Sequence, residues 1–126
     1  MGQLDQRGGR RKRIADLRVL DPACGSGHFL LYAFDILLTL YDEAWQDPGA
    51  APRAATRRTL RQDYPERQAL RTAAPELILR HNLHGIDIDP RCAQIACLAL
   101  WMRAQRAYGE LGISRADRLP ITRTNI

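Results

Sequence analysis

Apolar positions along the chain fall into two kinds of pattern. The first is a short continuous run, Leu17-Arg18-Val19-Leu20, closed by Asp21-Pro22, which predicts a buried parallel strand at the end of Ile14 to Leu20. The second is helical. From Gly27 to about Gln46 nearly every position is apolar, and the polar ones, His28, Asp35, Thr39, Asp42 and Gln46, recur at spacings of three, four or seven. They collect on one narrow wet stripe, so this helix expects burial on most of its sides. Asp47 to Pro75 changes character, with four prolines, an alanine-rich stretch and the charged segment Thr56 to Arg71. We read residues 47 to 75 as an inserted surface segment with short helical pieces. Pro75 suits the first turn of a brief helix through Arg80. His84-Gly85-Ile86-Asp87-Ile88 reads as a second strand. A second long helix follows, with Asp89 as its N-cap, Pro90 as its first residue, and Ile95, Leu98, Ala99 and Met102 as the stripe that would lie on a sheet. Gly109 is the expected stop, and Pro120 to Ile126 the start of a third strand.

Strand, helix, insertion, strand, helix and strand start is the rhythm of an α/β chain with a parallel sheet and right-handed crossovers. Binding sites in such sheets lie beyond the carboxyl ends of the strands, which directs attention to the residues after Leu20 and Ile86.

Composition changes this picture little. A chain of 126 residues, 45% hydrophobic, buries enough surface to fold without disulfides or metals, and no apolar run approaches the length of a membrane span. Three cysteines at Cys24, Cys92 and Cys97 do not make a secreted disulfide framework, and no signal segment opens the sequence, so a reducing cytoplasm is the expected setting. The net charge of +5 suggests nucleic acid until it is divided along the chain. Residues 1 to 18 carry six basic groups against Asp5 and Asp16, while the remaining 108 residues carry 13 against 12. The excess sits in a Gly- and Arg-rich leader, and residues 1 to 13 are expected to be a disordered basic tail.

The first strand end reads Asp21-Pro22-Ala23-Cys24-Gly25-Ser26-Gly27. Two glycines one residue apart let the backbone turn sharply and approach a ligand. A dinucleotide site would want a third glycine where Leu30 stands, and a phosphate loop would want Gly-Lys-Ser or Gly-Lys-Thr, which is absent. A carboxylate at the strand tip instead suits a ligand with a cationic amino-acid end. At the second strand end, Asp87 is placed to accept hydrogen bonds from two ribose hydroxyls, and Ile88 to face an adenine ring. A nucleoside joined to an amino acid is S-adenosylmethionine. Cys24 is better suited to packing than to nucleophilic chemistry. Cys92 and Cys97, five apart on a helix and so roughly 140° around its axis, do not close one metal site. Trp101 and Tyr108, seven apart, suit packing better than base stacking.

D-P-A-C-G-S-G-H-F-L followed by N-L-H-G-I-D-I-D-P-R-C-A-Q resembles the cofactor-binding half of amino-group DNA methyltransferases, above all the large adenine-specific enzymes of bacterial restriction and phage-exclusion systems. The resemblance implies a truncated Rossmann-like methyltransferase fold over residues 14 to 126. It also implies that Asp21, Ala23, Cys24, Gly25 and Gly27 surround the methionine part of the cofactor, that Asp87 holds the ribose and that Ile88 packs on the adenine. Two departures stand out. Asp21 and Asp87 are 66 positions apart, where a dinucleotide unit has about 20, so residues 47 to 75 must loop out of the sheet. The family's catalytic tetrapeptide, ending in Pro-Pro and an aromatic residue, has no counterpart, because the chain contains no Pro-Pro. The expectation is a fragment that supplies the cofactor floor, with DNA met through the complete protein and the rest of the sheet supplied by further methyltransferase segments or a second chain. Methylation of RNA or protein, and a non-catalytic cofactor-binding remnant, are the rival readings.

Overall fold

The computed structural model describes residues 14–47, 57–122 and 124–126; the basic leader at 1 to 13 and the first part of the inserted segment lie outside the described residues. A single 3-10 turn, Ile14–Asp16, leads into β1 (Val19–Asp21). There follow α1 (His28–Gln46), a short α2 (Leu60–Asp63), α3 (Arg67–Leu77) with a π-helical turn at Ile78–Asn82, β2 (Leu83–Gly85) and α4 (Pro90–Glu110). β1 and β2 pair in parallel, Val19 opposite Leu83 and Asp21 opposite Gly85. A single parallel bridge joins His84 to Asn125 on the other side of β2. The α/β class expected from the pattern is present as a two-stranded parallel sheet, and the third strand is represented by that one bridge. Among the described residues, no helix is long and apolar enough to cross a membrane.

The core is where the helices close on the sheet. Leu30, Phe34, Leu37 and Tyr41 from α1 meet Leu70 and Leu77 from α3, Ile78 and Leu79 from the π turn, Leu83 from β2 and Leu100 from α4, all buried. Each such side chain contributes about 1.5 to 3 kcal/mol by leaving water. The inserted segment takes part in this core. Leu60 and Leu70 are buried, the Trp45 indole donates to the Tyr64 carbonyl at 2.6 Å, and Thr59 and Gln62 form a reciprocal cap on α2. Pro75 lies near the end of α3 instead of in a first turn. Its missing N–H and the crowding of its ring against the preceding turn coincide with the widened π geometry three residues on.

Two expectations fail on helix faces. The α4 stripe predicted to lie on the sheet points outward, with Ile95, Leu98 and Met102 each more than half exposed. The buried face is Ala96, Leu100, Ala104 and Ala107, spaced by four and three. Small side chains let α4 come close to its neighbours, and dispersion over a short gap replaces bulk. On α1, Phe29, Tyr32 and Ile36 form an exposed apolar edge, so burial covers fewer sides than the sequence suggests. The ends of α4 divide likewise. Asp89 caps the start through Arg91 N–H at 2.9 Å, with Pro90 first, as expected. The stop comes three residues after Gly109, at Gly112 with φ 75°, where Ile113 N–H reaches the Tyr108 carbonyl at 2.8 Å and Gly112 N–H the Gly109 carbonyl at 3.1 Å. That pair is the Schellman arrangement, which needs a left-handed residue after the cap.

Candidate functional site

The carboxyl ends of β1 and β2 carry the predicted residues side by side. Ile86 N–H donates to the Asp21 carbonyl at 3.0 Å, and Cys24 N–H returns to the Ile86 carbonyl at 3.0 Å, so the ladder continues one step past the strands and folds the loop across β2. Within the loop, Ala23 N–H donates to an Asp21 carboxylate oxygen at 3.1 Å and Gly27 N–H to the Cys24 carbonyl at 2.9 Å. Gly25 (φ 53°) and Gly27 (φ 91°) both stand in the left-handed region, which side-chain-bearing residues adopt at a cost. Gly27 is required twice over, since a Cβ there would stand 3.2 Å from the Cβ of Ala96 on α4.

Asp87 sits two residues past β2, closer to a loop than the predicted strand end, and is half-buried. Gly25 N–H donates to one of its carboxylate oxygens at 2.9 Å, and Asp89 N–H to the other at 2.9 Å. A carboxylate offers about four lone-pair positions, so each oxygen retains capacity for a further donor. The structure therefore brings Asp21, Ala23, Cys24, Gly25, Gly27 and Asp87 into one cluster. Ile88 stands apart from the core with its side chain fully exposed, and Ile86 is 59% exposed. Cys24 packs in the core, its backbone N–H donating to the Ile86 carbonyl and its own carbonyl accepting from the Gly27 N–H. Burial, then the charges of Asp87 and Asp21, push its thiol above the ordinary range, which makes it a poor nucleophile. Asp89 is held below the usual carboxylate range by Arg91, first through the guanidinium and then through the backbone N–H it caps.

Two supporting residues escaped the sequence reading. Gly85 ends β2 where a Cβ would meet Leu30 Cδ1 at 2.9 Å, Ile126 Cδ1 at 3.0 Å and Cys24 Cβ at 3.2 Å. A glycine inside a strand pattern was the available signal. Asn82, fully buried, closes the opposite end of the strands. Its amide nitrogen donates to the Ile14 and Leu17 carbonyls, both at 2.8 Å, and its oxygen accepts from the Tyr41 hydroxyl at 2.8 Å. Periodicity cannot flag a lone buried amide.

Residues 6–126 match the family described as MmeI, DNA-methyltransferase domain. The chain is 34% identical over 96 residues to the adenine-specific methyltransferase PglX of Lacticaseibacillus casei, covering 76% of this chain. It is 36% identical over 90 residues to the adenine-specific methyltransferase BrxX of Escherichia coli, covering 71% of this chain. A PglX of Streptomyces coelicolor is 30% identical over 103 residues, covering 82%. The aligned part is only 6% to 7% of the length of these relatives. With the glycine loop and the second-strand acid in direct contact, and with the family pattern running through nearly all of the chain, the sequence belongs to the MmeI-type DNA-methyltransferase domain family.

Proposed function

We propose that this chain is the S-adenosylmethionine-binding part of an adenine-N6 DNA methyltransferase, with a Rossmann-like sheet of which β1 and β2 are two members. The observation that carries the reading is the 2.9 Å bond between Gly25 and Asp87, which brings the loop meant for the amino-acid end against the acid meant for the ribose across 62 residues of sequence. The donor set fits that cofactor. Asp21 and Asp87 supply negative charge where a sulfonium and an ammonium would lie. Asp87 retains lone pairs for two ribose hydroxyls, and Ile88 offers an uncovered apolar side chain for an adenine face. When bound, the cofactor supplies an electrophilic methyl group. The chain's own residues bind and orient it: the glycines let the backbone approach, and α1 begins directly at the loop. Cytoplasmic location and DNA as the acceptor, met through a longer protein, belong to the same proposal.

Calorimetric titration with S-adenosylmethionine tests it. Asp87→Ala is expected to cost on the order of 1 to 3 kcal/mol of binding, because two hydroxyls lose their acceptor. Equal affinity in parent and variant sinks the assignment. With radiolabelled cofactor and unmodified DNA, the chain alone is expected to give background incorporation, since no Pro-Pro segment is present to orient a flipped-out base. Transfer above background, abolished by Asp21→Ala, would reveal a catalytic element in these 126 residues.

A further inference from the structure

We infer that Asp87 plays a second part, as a positioning residue that latches the glycine loop into its binding shape before any ligand is present. Three observations converge. Gly25 and Asp89 N–H groups each donate to a different oxygen of the Asp87 carboxylate, both at 2.9 Å. On the side where a Cβ would stand, Gly25 borders open space, with no atom within 4 Å, so no side chain packs on the loop from that side. Gly25 is half-buried between the core residue Cys24 and half-buried Ser26, the loop residues Pro22 and Ala23 before them are exposed, and the other bond from the loop to the β2 side is the single one from Cys24 to Ile86. A bond to an ionised acceptor is roughly twice as strong as a neutral one, which makes the Asp87 contact the stronger of the two ties. Because two amides use only two of the carboxylate's lone-pair positions, latching and ligand binding proceed at once and do not compete.

Asparagine cannot replace the latch. Its one oxygen serves either Gly25 or Asp89, and its NH2 then faces the other N–H, donor against donor. A residue that only received ribose hydroxyls would leave the ligand-free loop untouched when changed. That the preset loop is for S-adenosylmethionine rests on the function proposed for the site; the latch is measured without it. In amide hydrogen exchange by NMR on the full chain with no ligand, Asp87→Asn and Asp87→Ala are expected to speed exchange at Gly25 by about tenfold or more. Core amides of α1 and α4 are expected to hold their rates, and Asp89→Asn, which keeps its cap, to leave Gly25 unchanged. Where Asp87→Ala does not fold, the isosteric Asn variant carries the test. An unchanged Gly25 rate in the folded Asp87 variants overturns the inference, as does protection lost evenly through α1 and α4. An intact Gly25 effect beside a failed cofactor titration removes the cofactor reading and leaves the latch standing.

Discussion

The two ends of the β1–β2 pair hold the same strands together with opposite chemistry. At the amino end, Asn82 is neutral and sealed, its amide spending both donors on the carbonyls of Ile14 and Leu17 and its oxygen on Tyr41. At the carboxyl end, Asp87 is charged, half-buried and bonded to two backbone amides with acceptor capacity to spare. A buried polar group that is fully satisfied rigidifies its surroundings and offers nothing to a ligand. A partly open carboxylate incurs a smaller desolvation penalty and can still accept. The contrast shows how a three-residue strand pair separates the work of fixing register from the work of binding.

The largest expected effect breaks the sealed end. Asn82→Ala removes the side-chain donor of the Ile14 and Leu17 carbonyls and the acceptor of the buried Tyr41 hydroxyl, and is expected to cost on the order of 3 kcal/mol. Urea denaturation measures it, and a loss below about 1 kcal/mol would mean that the amino end is not what fixes the pair. Next comes the open end's own packing. Gly85→Ala forces a methyl against Leu30, Ile126 and the loop residue Cys24 at 2.9 to 3.2 Å, for an expected loss of about 1 to 3 kcal/mol. Wild-type stability in that variant would show that the loop can retreat from β2 freely.

The smallest effect lies away from both ends and calibrates them. Arg67 grips Asp42 with two bonds, at 3.0 and 2.6 Å, on an exposed surface between α1 and α3. The Arg67 hydrogen bond holds the Asp42 carboxyl below its ordinary 3.8. A depressed folded pKa stabilises above the ordinary value and loses that contribution as pH falls through the depressed one. Asp42→Asn is therefore expected to cost under about 1 kcal/mol at neutral pH. The gap in melting temperature from the parent should close as the solution is acidified below 3.8. A gap that widens on acidification would contradict the assignment.

Local signals in the sequence were faithful where the structure is local. The glycine loop and the Asp89-Pro90 helix start depend on residues within a few positions of one another, and the pairing of the two strand ends followed from the order of the elements. What the sequence hid depends on partners. The stripe rule favours large side chains, yet α4 buries Ala96, Ala104 and Ala107 and turns Ile95, Leu98 and Met102 outward, because close approach between helices rewards small surfaces. Gly109 and Gly112 look alike in sequence, and only the backbone turn distinguishes the terminator. The α/β class with a parallel strand pair was legible from element order, whereas Asn82 and Gly85 gain their importance from atoms far along the chain.

Gly27 and Ala96 touch through what they lack. A single added carbon at residue 27 would meet the Cβ of Ala96 at 3.2 Å and its Cα at 3.3 Å. The start of α1 and the first turns of α4 meet here, so a methyl at residue 27 requires α4 to give by a few tenths of an ångström. The two positions are sterically coupled. Enlarging either moves α4 away from the loop, and the accessible changes at residue 96 are decided by a glycine 69 positions earlier.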